Sequence, residues 1–224
     1  MKNLIFIFCL ILGINAFAGQ SGVFMVVKGN VSIQRLDGKV EKAKLNSILY
    51  PGETVTSEAD SKAKIVMTDR NIINVLPNTK IVIEKYTNEP ADKTVNIKLE
   101  SGKIRTDVEQ KYDGKDSKFE IRTTVAAMGV RGTQLVVSHN ANTDTTEVVT
   151  LTGEVYVLRA NKLSSALGFG SKGELVVKAQ EMLRLKSDSK SAKIERMNLK
   201  AFEALKNETF VSVETEKPAG GVRN

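Results

Sequence analysis

The stretch from Phe119 to Val137, Phe-Glu-Ile-Arg-Thr-Thr-Val-Ala-Ala-Met-Gly-Val-Arg-Gly-Thr-Gln-Leu-Val-Val, decides the fold class of this chain. It begins with the alternation typical of a β-strand, passes through small residues to a Val-Arg-Gly-Thr step, and resumes as a second apolar strand. Glycine in such a strand-like stretch marks a bulge or a close approach of two backbones. The stretch therefore predicts two strands joined by a compact, glycine-dependent step.

Short β signals of the same kind fill the chain from Gly22 to Lys186. Runs of β-branched residues are separated by turn pairs such as Asp37-Gly38, Pro51-Gly52 and Thr152-Gly153. No helical period of useful length interrupts them, so the crossovers of a parallel α/β sheet have no place. We predict an all-β domain, a twisted β-solenoid-like or β-sandwich arrangement of many short strands. Periodicity leaves open whether they pair as hairpins or coil as a solenoid.

The C-terminal region predicts one α-helix, over about residues 192–206. Apolar residues recur on one helical face, at Ile194, Met197, Ala201 and Leu205, with Phe202 beside them. The helix is expected to cap the β domain, because open sheet edges need cover; docking to another protein is the alternative. The expected organisation is a β domain at 19–187, followed by the helix and a flexible tail at 188–224.

The first 18 residues are typical of a secretory signal peptide. Lys2 provides the positive charge, Leu4–Ile14 the apolar segment, and Ala16-Phe17-Ala18 a cleavage site before Gly19. An uncleaved anchor is the alternative, but the apolar segment is shorter than the ~20 residues that span a bilayer. We therefore predict a periplasmic or secreted protein with no transmembrane span after cleavage.

Composition narrows the classes of partner. Cleavage removes the only cysteine, Cys9, so that stability must come from burial without disulfides. The net charge of +7 would suit anionic partners, although acidic and basic residues are interspersed as on an ordinary solvated surface. Nucleic acid is excluded by the predicted compartment and by the lack of an aromatic-plus-basic pattern.

An ordered series of short motifs resembles the FecR domain, a module of the bacterial envelope. The matching steps are Gly29-Asn30-Val31, Gly52-Glu53-Thr54, Ala63–Met67 followed by Asp69-Arg70-Asn71, Pro77-Asn78-Thr79, Leu99–Ile104, Thr123–Ala126, Val130–Thr133 and Thr152–Val155. Two of them depart from the family pattern: Asp69-Arg70-Asn71 stands for Asp-Gly-Ser, and Thr124 stands for proline.

The resemblance implies a non-catalytic module that receives signals or acts as a scaffold. In sigma-regulating members, such a module is joined through a membrane helix to a cytoplasmic anti-sigma segment. We see no room for either here and do not expect anti-sigma activity. The resemblance implies a structural signature, which consists here of Gly129, Val130, Arg131, Gly132 and Thr133.

Two features could bind a partner. Arg131 carries a planar fork of five donors and could contact an anion or, as we favour, satisfy backbone groups between adjacent β segments. The small, locally apolar stretch at 160–173 could present Leu167 and Phe169 to another protein, or be a plain linker. Its Gly168–Gly173 matches a dinucleotide-binding fingerprint but is followed by a strand rather than a helix, so we reject that match.

Residues for catalysis are hard to find. His139, the only histidine, is expected in a polar turn without a nucleophile nearby, and one histidine without cysteine cannot form an ordinary zinc site. Asp113 and Asp116 are expected to be solvated, and no calcium-binding oxygen cluster is visible. We therefore expect no enzyme activity, cofactor or metal.

Three hypotheses follow, in descending order of preference. The chain binds another envelope protein through a β-edge or loops; it binds peptidoglycan or another anionic glycan; or it is a hydrolase that uses carboxylates.

Overall fold

The computed structural model describes residues 19–89, 93–109, 112, 118–160, 174–189 and 192–212. The signal-peptide region, Asp113, Asp116, Leu167 and Phe169 lie outside these residues. The described strands are, in chain order, β1 (Gly22–Lys28), β2 (Val31–Gln34), β3 (Val40–Lys42), β4 (Ile48–Leu49), β5 (Thr54–Ser57), β6 (Lys62–Met67), β7 (Ile72–Val75), β8 (Thr79–Asn88), β9 (Lys93–Asp107), β10 (Lys118–Arg122), β11 (Ala126–Val130), β12 (Gln134–Asn140), β13 (Thr145–Thr152), β14 (Glu154–Arg159), β15 (Leu175–Lys178), β16 (Glu181–Lys186) and β17 (Lys193–Arg196). One helix, α1 (Leu199–Thr209), follows them.

The strands form two stacked layers that share β9. Sheet A has the order β4-β1-β6-β7-β9-β12-β13-β16-β17, and sheet B the order β3-β2-β5-β8-β9-β10-β11-β14-β15. Strand β9 pairs in sheet B up to Ser101 and in sheet A from Gly102 onward. All pairs are antiparallel except β9–β10, which is parallel.

This topology combines the two arrangements that periodicity could not separate. After β9, the hairpins β10–β11, β12–β13, β14–β15 and β16–β17 fall alternately in sheet B and sheet A. The chain therefore forms local hairpins that coil between two layers. The prediction of an all-β fold with one C-terminal helix is confirmed.

The main core lies between the sheets. Alternate side chains of both layers meet there, among them Phe24, Ile65, Ile97, Phe119 and Leu135, each at most 1% exposed. In β1, the alternation of Val23, Met25 and Val27 is broken by an irregularity in the pairing between Phe24 and Val26, and Met25 is exposed. Burial on this scale accounts for a stable domain without disulfides.

Helix α1 covers part of the outer face of sheet A. Phe202 packs with Val136, Val149 and Leu151. The buried Arg105 donates from Nη1 to the carbonyl of Lys206 at 3.2 Å, a favourable cation at a helix C-terminus. The helix is therefore a cap, as expected from sequence.

The predicted bounds of the helix were wrong. Residues Lys193–Arg196 form β17, which pairs with β16, and the helix begins only after Asn198. The Asn198 side chain accepts a hydrogen bond from Ala201 N at 2.9 Å and so sets the start. As a result Ile194 and Ala201, placed by the sequence on the packed helical face, are exposed. Within the described residues, no helix has the length and hydropathy to span a membrane.

Candidate functional site

The signature step forms the corner where the chain passes from β11 in sheet B to β12 in sheet A. Gly132 adopts a left-handed conformation with φ 60°. The Thr133 hydroxyl lies 3.0 Å from the carbonyl of Arg131 and 2.9 Å from that of Glu154. The Arg131 side chain is exposed, and no hydrogen bond or ion pair of its guanidinium is found among the described residues. Thr133 rather than the guanidinium ties the adjacent segments together.

The same corner occurs three times in the part of the chain that the structure describes. In each corner, a serine or threonine hydroxyl forms a hydrogen bond with the carbonyl two residues earlier, and the residue between them is left-handed. The same hydroxyl also bonds to the backbone of the residue that follows a left-handed glycine. The three sets are Ser61 with Ala59 and Asn30, Thr79 with Pro77 and Lys103, and Thr133 with Arg131 and Glu154. A Cβ on Gly102 would lie 2.4 Å from Thr79 Oγ1, and one on Gly153 would lie 2.8 Å from Thr133 Oγ1. Several family motifs that are separated in the sequence therefore meet at these corners: Gly29-Asn30-Val31, Pro77-Asn78-Thr79, Val130–Thr133 and Thr152–Val155.

A closed polar network occupies the turn between β6 and β7. Asp69 accepts hydrogen bonds from the Tyr112 hydroxyl at 2.5 Å and from Asn71 Nδ2 at 2.8 Å. Burial and the Asp69 carboxylate raise the pKa of Tyr112. Arg70, at the family's glycine position, takes the left-handed conformation with φ 70°. These groups satisfy one another, so the cluster holds the turn.

His139 is buried in β12 rather than lying in a polar turn, which corrects the expectation from sequence. Its Nδ1 lies 3.0 Å from Thr146 Oγ1 and its Nε2 3.2 Å from Thr124 Oγ1. A hydroxyl does therefore reach the histidine, contrary to the sequence prediction. The Thr124 hydroxyl, however, donates to Asp144. Because the Thr124 hydroxyl proton points to the Asp144 carboxylate, His139 is not placed to accept that proton as a base. The hydrogen bonds of Thr124, His139 and Asp144 instead connect the β12–β13 turn to the segment after β10.

Burial lowers the pKa of His139 and keeps it neutral near pH 7. Hydrogen bonds from Thr124 and Ser187 lower the pKa of Asp144. The lowered pKa values favour a neutral His139 ring and an ionised Asp144 carboxylate, and the ionised carboxylate accepts the hydrogen bond from Thr124.

A polar groove of about 1090 Å³ lies on sheet A, at the end of the sandwich that holds the β12–β13 turn. Its lining includes Asn78, Ser138, Asn142, Arg184 and Lys186. Arg184 pairs with Glu147, and Lys186 with Asp188. Glu147 is the one carboxylate of the groove's described lining, so the groove does not bring together two acids for hydrolysis. Among the described residues, no group of three potential metal ligands is found.

The most distinctive surface is the N-terminal edge, which we define as residues 35–48: strands β3 and β4 with their flanking turns. It exposes a group of large aliphatic side chains, Leu36 at 71%, Val40 at 66%, Leu45 at 62% and Ile48 at 36%. The strand β3 pairs only with β2 among the described strands, so it is a free border of sheet B.

The edge is held in place by an ion pair between the half-buried Arg35 and the buried Glu53. Arg35 Nη1 donates to both carboxylate oxygens of Glu53, at 3.0 and 2.9 Å, and to the carbonyl of Ile48 at 2.9 Å. Its Nε and Nη2 donate to Glu41 at 3.2 and 3.0 Å. Because one guanidinium joins β2, β3 and β4, the exposed aliphatic side chains stand on an ordered support.

The backbone of β3 also faces outward in part. Ala43 N–H donates to Val31 O and Arg35 N–H to Lys39 O, both at 2.8 Å. Since bonded and non-bonded pairs alternate in an antiparallel hairpin, Val40 and Lys42 turn their N–H and C=O groups away from β2. Sequence reasoning missed this edge, although Val40 within the run Lys39–Lys44 was a visible signal.

Comparison with known proteins agrees with the architecture. The FecR protein family model matches residues 53–156. Two crystal structures of a provisionally assigned anti-sigma factor from Parabacteroides distasonis ATCC 8503 share the fold at 13% identity and a TM-score of 0.52. The matches cover 67% and 68% of this chain and 62% and 63% of those chains, so the chain spans less than two thirds of their length. No curated protein matches. The ordered corners, the two-layer fold and the family match agree: residues 53–156 of this chain are similar to the FecR protein family.

Proposed function

We propose that this chain is a non-catalytic FecR-domain module of the cell envelope, exported with cleavage of residues 1–18, that binds another envelope protein in a signalling or scaffolding role. The observation that carries the proposal is the N-terminal edge. Four large aliphatic side chains are exposed there on a support fixed by Arg35 and Glu53. Four of the eight large apolar side chains that are exposed among the described residues lie in this one segment, and a concentration of exposed apolar groups is typical of interaction sites.

The FecR domain supports the same class of function. Gly132 and Thr133 of its signature form a corner of the fold. The fold therefore does not depend on the exposed surface residues, which are available for binding. The exposed Arg131 is a further candidate contact for a partner, as are Leu167 and Phe169, which lie outside the described residues.

Site-specific photo-crosslinking in producing cells tests this proposal. A photoreactive amino acid replaces Leu36 in one strain and Leu199, an equally exposed leucine on α1, in another. We expect one recurrent protein adduct, of the same mass and identity by mass spectrometry, from position 36 only. Equal adducts from both positions, or none from position 36, would refute the assignment of the edge.

Glycan binding is a second candidate, favoured by the polar groove. Its amide and hydroxyl groups, at Asn78, Asn142 and Ser138, suit hydroxyl-rich ligands, and Arg184 and Lys186 suit anionic ones. Co-sedimentation with purified cell-wall sacculi at low salt is expected to weaken in the double variant Arg184→Ala, Lys186→Ala. The same binding by wild type and variant, or none by either, would remove this candidate.

A further inference from the structure

We infer that β3 accepts an extended segment of a partner protein as an additional strand of sheet B, and that this segment alternates apolar and acidic side chains. The inference rests on the proposed function and adds to it the geometry and chemistry of the partner. Three observations carry it: the direction of the backbone groups, the side chains beside them, and the balance of charge.

The backbone provides the docking geometry. The outward N–H and C=O groups of Val40 and Lys42 are two residues apart, the spacing at which an added antiparallel strand forms its paired hydrogen bonds. Hydrogen bonds of this kind give affinity in strand addition, while alternate side chains give selectivity.

The neighbouring side chains specify an apolar component. The register places Val40 opposite Gln34, and Lys42 opposite Ser32. On β2 the residues Val31 and Ile33 point into the core, so Val40 and Lys42 share the outer face of sheet B. An added strand would therefore set its own side chains against an exposed valine and an exposed lysine.

The charge of the edge specifies an acidic component. Arg35 and Glu41 are paired, as are Lys39 and Asp37. Lys42 and Lys44 have no carboxylate within ion-pair distance among the described residues, and both are exposed. Carboxylates on an incoming strand would meet these two cations.

The same pattern disfavours a second copy of this chain as the occupant. Two β3 strands in antiparallel register about Glu41 would place Glu41 against Glu41 and Lys42 of each copy against Val40 of the other, so that neither Lys42 would face a carboxylate. Like charges at an edge oppose self-pairing. We therefore assign the site to a different protein.

The experiment measures binding of a short blocked peptide of alternating valine and glutamate to the mature chain, by fluorescence anisotropy at low salt. A peptide of alternating valine and lysine is the comparison. We expect the valine–glutamate peptide to bind about tenfold more tightly than the valine–lysine peptide. Val40→Pro removes an outward N–H without touching the β2 ladder, and is expected to weaken binding by about tenfold or more. The matched control is Ile194→Pro on β17, whose N–H also faces outward because Met197 N–H bonds Gln180 O. It is expected to leave binding unchanged.

A second variant guards against misfolding. Val40→Glu keeps the N–H and should reject the acidic peptide while retaining the wild-type melting temperature. Binding unaffected by either Val40 variant, an equal preference for the lysine peptide, or self-association of the chain in place of peptide binding would overturn the inference. No binding of the peptide would also overturn it, whereas the crosslink from position 36 judges the proposed function independently.

Discussion

The two ends of the sandwich treat exposed strand edges differently. At the C-terminal end, β17 carries charges with partners on the same surface: Lys193 with Glu195, and Arg196 Nη2 with Gln180 Oε1 at 2.9 Å. The chain then continues into α1, which covers apolar residues of sheet A. At the N-terminal edge the aliphatic side chains are exposed and two lysines are without carboxylates.

A free strand edge alone therefore does not identify a binding surface. Strand β17 also has outward backbone groups, at Ile194 and Arg196, but its Lys193 and Glu195 pair with each other, and the chain continues from it into the covering helix. Paired charges and covering helices are the usual means by which proteins protect sheet edges. The N-terminal edge has the backbone geometry without that cover, which distinguishes a surface for a partner from one that stabilises the fold.

Loss of the packing between α1 and sheet A should have the largest effect on the free energy of unfolding. Phe202→Ala is expected to lower the free energy of unfolding by about 3 kcal/mol, because a 4%-exposed aromatic ring leaves its contacts with Val136, Val149 and Leu151. Urea denaturation followed by circular dichroism measures it. A loss no greater than that of Ala201→Gly on the exposed helical face would show that α1 is not a structural cover.

The corner formed by Thr79 and Gly102 should have the next largest effect on stability. Gly102→Ala combines φ 91° with a Cβ 2.4 Å from Thr79 Cα, and is expected to destabilise by about 2 kcal/mol or more. Gly38→Ala, in the turn of the N-terminal edge, has φ 84° but open space around its Cβ, and should cost about 1 kcal/mol. Equal losses in thermal or urea denaturation would contradict the role of the Thr79 corner.

The buried His139 predicts a pH dependence that neither edge provides. Because its folded-state pKa is lowered, its contribution is complete above the unfolded-state pKa of about 6.5 and is lost as pH falls through the folded-state value. Stability should therefore decline from pH 7.5 to pH 5.5. Since His139 is the only histidine, His139→Gln should flatten this slope, whatever it does to stability at pH 7.5. A wild-type profile that is flat across this window would refute the prediction.

The smallest effect on stability is expected at the N-terminal edge. Leu36→Ser and Leu45→Ser remove side chains that are 71% and 62% exposed, so the free energy of unfolding should change by less than about 0.5 kcal/mol. The yield of the crosslink to the partner, measured with the photoreactive group at position 40, should nevertheless fall. A stability loss comparable to that of Phe202→Ala would reclassify these leucines as structural.

Sequence reasoning recovered the strands because β-branched alternation and turn pairs are local signals. The Asp37-Gly38 hairpin and the strands around Val130–Thr133 fall where they were predicted. It failed at β17 because Ile194 and Met197 fit a helical period, while the pairing with β16 leaves no signal in the spacing of the apolar residues. His139 was misplaced for the same reason: its threonine partners come from two other segments. The free backbone of Val40 depends on the hairpin register, which single-residue patterns do not reveal.

Amide hydrogen exchange of the mature chain, with and without the protein crosslinked from position 36, distinguishes partner binding at β3 from partner binding at β17. We expect the amides of Val40 and Lys42 to become protected in the complex, while those of Ile194 and Arg196 exchange as in the free chain. Protection at β17 with no change at β3 would contradict it.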